Sequence, residues 1–205
     1  SVNYRLSPEY KFPTPVEDAY SALQWVFEKG TSFNGEISRL VVGGDSVGGN
    51  LATVVTMMAR NKKGPKITAQ VLIYPATNLE FNTESHRTFA KGFGLDREHL
   101  IWFRDHYLRN NEDRYNEYAS PLVAQDLSGL PPAIVITAEN DVLRDEGIAY
   151  AERLKDFGVQ VEYECEPGMV HGFFVQMTIF SKNIELTVSR IEKFLSSLKY
   201  TIGID

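Results

Sequence analysis

Ser46 stands at the centre of Gly44-Asp45-Ser46-Val47-Gly48, and a serine in a G-x-S-x-G setting is placed to act as a nucleophile. The spacing has a mechanical reason. A serine at the apex of a sharp strand-to-helix turn has a strained backbone and an exposed hydroxyl. The residues two before and two after it approach so closely that side chains would collide, so glycine is needed there. The helix that follows aims its first N–H groups at whatever the serine attacks and favours negative charge there. A glycine-rich connection without chemistry would use the same residue types, so the flanks decide. Leu40-Val41-Val42 reads as a buried strand before the turn, and Leu51-Ala52-Thr53-Val54-Val55 opens a helix after it. Two phosphate-binding patterns are excluded: there is no G-x-G-x-x-G, and no Lys-Ser or Lys-Thr follows the second glycine pair.

A serine hydroxyl is a poor nucleophile until a base takes its proton, and imidazole titrates in the right range for that. His86, His99 and His106 fall in an aromatic-rich stretch where a surface histidine is the ordinary reading. His171 alone sits in a glycine-flanked loop directly after a strand-like run; a structural histidine is its alternative there. The base needs a carboxylate to fix its tautomer and stabilise the imidazolium. Asp141, Asp145 and Glu139 compete for that role. Asp145 suits the first turn of a helix, where it complements the dipole, and Glu139 could support the loop from the side. Asp141 is preferred. Ser46, Asp141 and His171 then follow the chain order Ser…Asp…His of hydrolases built on an elbow.

Other chemistries find little support. No His, Cys and carboxylate cluster has metal-ligand spacing, so no metal or other cofactor is read. Cys165 is the only cysteine, which rules out an internal disulfide and a cysteine-based metal site, and its strand-like run suggests a buried structural thiol. The formal net charge of −6, with both signs interspersed, argues against nucleic-acid binding. The lysine-rich run at residues 61–66 reads as a solvated loop. No stretch approaches the roughly 18 apolar residues of a membrane span, and no basic-then-apolar leader opens the chain. A cytoplasmic location is the default.

These residues must be held by elements. At 205 residues, 43% apolar and 23% charged, the chain is expected to form one domain over 1–205. The pattern predicts the tail of a strand at residues 1–6 and a helix over 16–29 with a 3.6-residue apolar period. Strands follow at 37–42, 67–74, 133–137 and 159–165. Helices are expected from Ser46 to about residue 60, over 144–157 and over about 183–198, the last followed by a short polar tail. Residues 78–118 break the alternation with many aromatics and a helix over 96–107, and read as an inserted, cap-like segment. Phe89, Phe93, Trp102 and Phe103 would line an apolar pocket there or simply pack the insert. Strand and helix alternate elsewhere, so the fold class is α/β: a mostly parallel sheet with helices on both faces and catalysis at the carboxyl ends of the strands.

Four separated segments resemble the hormone-sensitive-lipase-like branch of the α/β-hydrolase superfamily, which includes microbial carboxylesterases and arylacetamide deacetylase. Asn3-Tyr4-Arg5-Leu6-Ser7-Pro8-Glu9 is similar to its Tyr-Arg-Leu-Ala-Pro-Glu region. Gly44-Asp45-Ser46-Val47-Gly48-Gly49-Asn50 resembles its elbow, with Val47 where Ala is usual. Asp141-Val142-Leu143-Arg144-Asp145 and His171-Gly172-Phe173 resemble its acid and histidine motifs. The resemblance implies an α/β-hydrolase fold with Ser46 as nucleophile, Asp141 as acid, His171 as base and the Val47 N–H as an oxyanion donor. It also implies cofactor-free hydrolysis of short to medium acyl esters. The family's His-Gly-Gly-Gly loop, a further oxyanion donor, is not in this sequence, so the fold is expected to be N-terminally incomplete. The edge of the elbow strand would then be open, and activity would suffer for want of that loop. The expected partner is a small-molecule ester, with a homodimer or a separate N-terminal segment left open. A catalytically silent hydrolase-fold binding protein is the alternative function; a peptidase is a third.

Overall fold

The computed structural model describes residues 1–198. The polar tail expected beyond them lies outside the described residues. Helix α1 (Thr14–Lys29) leads through 3₁₀ turns to strand β1 (Val41–Asp45), and helix α2 (Val47–Asn61) follows at once. Strand β2 (Ala69–Ile73) comes next. The short helix α3 (Glu84–Thr88) and helix α4 (Arg97–Tyr107) then intervene before β3 (Ala133–Asn140). Helix α5 (Arg144–Asp156), strand β4 (Val161–Val170) and helix α6 (Met177–Ser197) complete the order. The four strands pair in parallel in the order β1-β2-β3-β4.

The two central strands are buried at nearly every position because both their faces are covered, and most of their side chains are apolar. Alternate side chains go to opposite layers. Leu72, Ala133 and Val135 pack with Ala52 and Met57 of α2 and with Tyr150, Ala151 and Leu154 of α5. Val71, Ile73, Ile134 and Ile136 pack with Phe194 of α6 on the other face. Helix α1 lies outside α2, its Val16, Tyr20 and Leu23 set against Leu51, Val54, Val55 and Met58. Burying each such side chain is worth about 1.5–3 kcal/mol. This layering fixes α2, and with it the turn from β1, rigidly against the sheet.

Several expected boundaries move. The strand before the elbow begins at Val41, after a 3₁₀ turn at Ile37–Arg39, because its ladder with β2 starts at Val41 opposite Ala69. Residues 1–6 form no strand. Arg5 is instead tied to α1, its N–H and guanidinium donating to Asp18 at 3.0, 2.8 and 2.6 Å. Strand β4 continues through Pro167 and Gly168, with a register shift opposite Ala138–Asn140 that keeps it paired as far as Val170. Helix α6 begins at Met177, before the expected residue 183, and kinks at Phe180. Cys165 is half-buried, on an outer strand paired only to β3 among the described residues. The other outer strand, β1, leaves one edge without a strand partner among the described residues, and Val41 on it is exposed.

Candidate active site

The turn from β1 to α2 places Ser46 at φ 54° and ψ −119°, a left-handed conformation that costs a non-glycine residue of order 1–3 kcal/mol. Surrounding bonds over-determine it. Ser46 N–H donates to Ile73 C=O at 2.9 Å, and Ser46 C=O accepts from Asn50 N–H at 3.1 Å and Ala76 N–H at 3.2 Å. Asn50, buried in α2, donates its amide to the carbonyls of Ala76 and Ala119 at 2.8 and 3.0 Å. The expected glycine requirement is unequal on the two sides of the serine. A Cβ on Gly44 would lie 2.3 Å from the Gly48 carbonyl, whereas a Cβ on Gly48 would meet only Asp45 Oδ1 at 4.0 Å. Gly49 is the second tight position, its would-be Cβ 2.8 Å from Pro75.

The loop after β3 and the loop after β4 bring two more side chains to this turn. His171 Nε2 lies 2.9 Å from Ser46 Oγ, and His171 Nδ1 lies 2.8 Å from Asp141 Oδ2. Asp141 is fully buried, and the His171 side chain is 11% exposed. Asp141 Oδ1 accepts the Leu143 N–H at 2.9 Å, so both its oxygens are engaged and its orientation is fixed. The geometry separates the three acid candidates. Only Asp141 meets the histidine. Glu139 Oε2 accepts the Gly168 N–H at 2.7 Å and so steadies the last part of β4, which leads to His171. Asp145, in the first turn of α5, accepts the Ser85 N–H at 2.7 Å and ties α3 to the acid loop.

Sequence reasoning missed two features beside the site. His86 is fully buried and does not lie on the surface as expected. Its Nδ1 closes a capping box with Thr83, and its Nε2 sits 3.3 Å from Glu146 Oε2 without hydrogen-bond alignment. Glu146 Oε1 accepts the N–H groups of Thr77 and Asn78 at 2.6 and 3.0 Å; burial pushes its carboxyl above the usual range. The second is Tyr74, fully buried at φ 35°, whose ring centroid is 4.7 Å from that of His171. Of the aromatics between β2 and β3, Phe89 and Phe93 pack edge to face at 5.0 Å, while Trp102 and Phe103 are exposed on α4. Among the described residues no cluster of His, Cys, Asp or Glu could hold a metal ion. No helix among them is long and apolar enough to cross a membrane.

A parallel sheet covered on both faces, with a strained serine where its edge strand turns into a helix and an Asp–His pair on neighbouring loops, defines the α/β-hydrolase class. Comparison with known proteins agrees. A family described as having the alpha/beta hydrolase fold matches residues 1–175. The putative alpha/beta hydrolase R526 of Acanthamoeba polyphaga mimivirus is 38% identical over 97% of this chain and 59% of its own length. The carboxylesterase NlhH of Mycobacterium tuberculosis is 41% identical over 84% of this chain and 55% of its own length. The crystal structure of EstE1, a carboxylesterase cloned from a metagenomic library, superposes with a TM-score of 0.90 at 43% identity, covering 96% of this chain and 67% of that one. The chain belongs to the α/β-hydrolase family, in its hormone-sensitive-lipase-like carboxylesterase branch. It spans between about half and three fifths of the length of the curated relatives it matches.

Proposed function

We propose that this chain carries the machinery of a carboxylic ester hydrolase working through an acyl-enzyme on Ser46. The observation that carries the reading is the continuous line from Asp141 Oδ2 through His171 to Ser46 Oγ, at 2.8 and 2.9 Å. Ser46 Oγ attacks the ester carbonyl as His171 Nε2 takes the hydroxyl proton, and Asp141 stabilises the imidazolium that forms. The tetrahedral intermediate places its negative charge at the start of α2, where the Val47 N–H is a donor. Collapse breaks the C–O bond, and the alcohol leaves with the proton from His171. Water, deprotonated by the same imidazole, then attacks the acyl carbonyl and releases the acid and Ser46.

Carboxylesterase relatives support a carboxylic ester as substrate. On this reading the acyl chain is short to medium, and the segment with α3 and α4 acts as a cap beside the site. The 205 residues contain no His-Gly-Gly-Gly sequence, so Val47 is the oxyanion donor assigned here.

The test is labelling of the 205-residue chain with a fluorophosphonate, with peptide mapping, beside a panel of p-nitrophenyl esters and aminoacyl p-nitroanilides. Modification confined to Ser46, lost in His171→Ala, together with ester turnover, is the expected result. A folded chain that does not label overturns the assignment. Preference for the anilides would make it a peptidase.

A further inference from the structure

Tyr74 is an unusual residue to find behind a catalytic histidine. It follows β2 directly, at the carboxyl end of the sheet, in a left-handed conformation (φ 35°) that side chains larger than glycine's rarely adopt. Its backbone stays in the ladder, N–H donating to Ile136 C=O at 2.6 Å. Its ring belongs to the buried layer of Ile73, Ile136 and Phe173, at the end of the sheet where the site lies. There the ring meets the His171 imidazole at 4.7 Å between centroids, tilted by 56°, and meets Phe173 edge to face at 5.5 Å. Its hydroxyl donates to Asp45 Oδ2 at 3.3 Å. Asp45 is the residue immediately before Ser46, so one side chain spans from the nucleophile's own turn to the face of its base. Burial and the Asp45 carboxylate raise the phenol's pKa, which keeps it a neutral donor.

We infer that Tyr74 is a positioning residue for this site: its ring holds the His171 imidazole in line between Asp141 and Ser46, and Asp45 holds the ring. The inference rests on the ester-hydrolase reading above and deepens it. The imidazole is fixed at two in-plane points, Nδ1 on Asp141 and Nε2 on Ser46. Two such bonds leave the ring free to rock about the line that joins them. A wall against its face removes that freedom. The second bond exists only until Ser46 gives up its proton, so the wall matters most as the imidazolium swings between the attacking oxygen and the leaving alcohol. Misplacing a catalytic group by about 1 Å can cost on the order of 10²-fold in rate.

The experiment compares Tyr74→Leu, Tyr74→Phe, Asp45→Ala, Asp45→Asn and the double variant Asp45→Ala/Tyr74→Phe, each checked for folding by circular dichroism. The readouts are the rate of fluorophosphonate labelling at Ser46 and kcat and KM on a p-nitrophenyl ester. Tyr74→Leu should lower labelling and kcat by on the order of 10²-fold, with KM changed less than about twofold. Tyr74→Phe and Asp45→Ala, which keep the ring but break its bond to Asp45, should each lose a few-fold, Tyr74→Phe at least as much because it also removes the phenol oxygen's bond to the Phe174 backbone. The double variant should lose no more than Tyr74→Phe alone, because the bond between Tyr74 and Asp45 is already gone in that variant. Asp45→Asn keeps an acceptor and should lose less than Asp45→Ala. Wild-type labelling with an undiminished rate in folded Tyr74→Leu would overturn the role of Tyr74. If that variant does not fold, additive losses in the double variant would overturn it instead. A folded wild-type chain that does not label at all sinks the ester-hydrolase reading first.

Discussion

The hydroxyl of Ser85 donates to the backbone carbonyl of Val142 at 2.9 Å, joining α3, which lies far from the acid loop in sequence, to the residue next to Asp141. The same hydroxyl accepts the Asp145 N–H at 3.2 Å, and the Ser85 N–H is held by the Asp145 carboxylate. Asp141 is therefore positioned from two sides: by the sheet through β3 and by α3 through Ser85.

Ser85→Ala should be destabilising, since it withdraws the partner of a buried carbonyl. The cost of such a loss is about 1–3 kcal/mol. Urea unfolding should show a lower midpoint with an unchanged slope. The labelling rate at Ser46 should fall as well, though less than for any change at His171. An unchanged midpoint would mean that α3 does not help to hold the acid loop.

Asp141→Asn keeps the side-chain oxygen that accepts the Leu143 N–H, so the loop should survive. What changes is the other atom. An amide facing His171 Nδ1 presents a donor or a neutral acceptor and cannot stabilise the imidazolium. A drop of about 10⁴ in kcat is the scale expected for this substitution in a working triad. The melting temperature should shift by only a few degrees. Retained turnover would move the acid role elsewhere, with Glu139, which holds the Gly168 N–H in β4 just before His171, the first to test.

Two carboxylates should give stability a pH dependence of opposite sign. Glu146 has its folded value raised by burial, against the opposing pull of His86 and the Thr77 and Asn78 N–H groups. A raised carboxyl contributes stability that is full below its unfolded value of about 4.3 and is lost as pH rises through the folded value. Asp18 has its folded value lowered to about 2 by the hydrogen bonds of Arg5. That contribution is present above an unfolded value of about 3.9 and is lost as pH falls toward the folded one. Solvent screening keeps the Asp18 effect small. Urea midpoints followed across pH should therefore flatten on the neutral side in Glu146→Gln and on the acid side, slightly, in Asp18→Asn.

Much of the site was legible because each of its members sits in a local pattern. Ser46 is flagged by glycines two residues away, and His171 by a turn directly after a strand. Parallel strands all point their carboxyl ends the same way, so residues at three strand ends meet without any distance being known. What stayed hidden depends on partners distant in sequence. His86 could not be told from a surface histidine, because its burial comes from packing of α3 onto Glu146 in α5. Tyr74 reads as the last residue of a buried strand. Only its backbone twist, forced between the β2 ladder and the elbow, turns the ring toward His171. The choice among Asp141, Asp145 and Glu139 likewise rested on loop geometry that the seven residues from 139 to 145 do not encode by themselves.

The two glycines that flank Ser46 at equal spacing should respond unequally to the same substitution. In Gly44→Ala the new methyl would sit 2.3 Å from the Gly48 carbonyl oxygen and 2.8 Å from its Cα. Those atoms are backbone in the first turn of α2, which is pinned by its packing on β1 and β2, and no side chain can rotate away to make room. Overpacking against flexible neighbours costs about 1–3 kcal/mol, so a clash with fixed backbone should exceed that range, and the elbow should open before the sheet yields. Gly48→Ala adds a methyl whose nearest neighbour is Asp45 Oδ1 at 4.0 Å, an ordinary contact, and alanine is the better helix former by about 1 kcal/mol. Gly48→Ala should therefore fold with near-wild-type stability and still label at Ser46. Gly44→Ala should lose labelling, with a sharply lowered unfolding midpoint. If both variants lost labelling alike, Gly48 would be kept for the close approach of substrate at the start of α2, since the turn itself leaves it room.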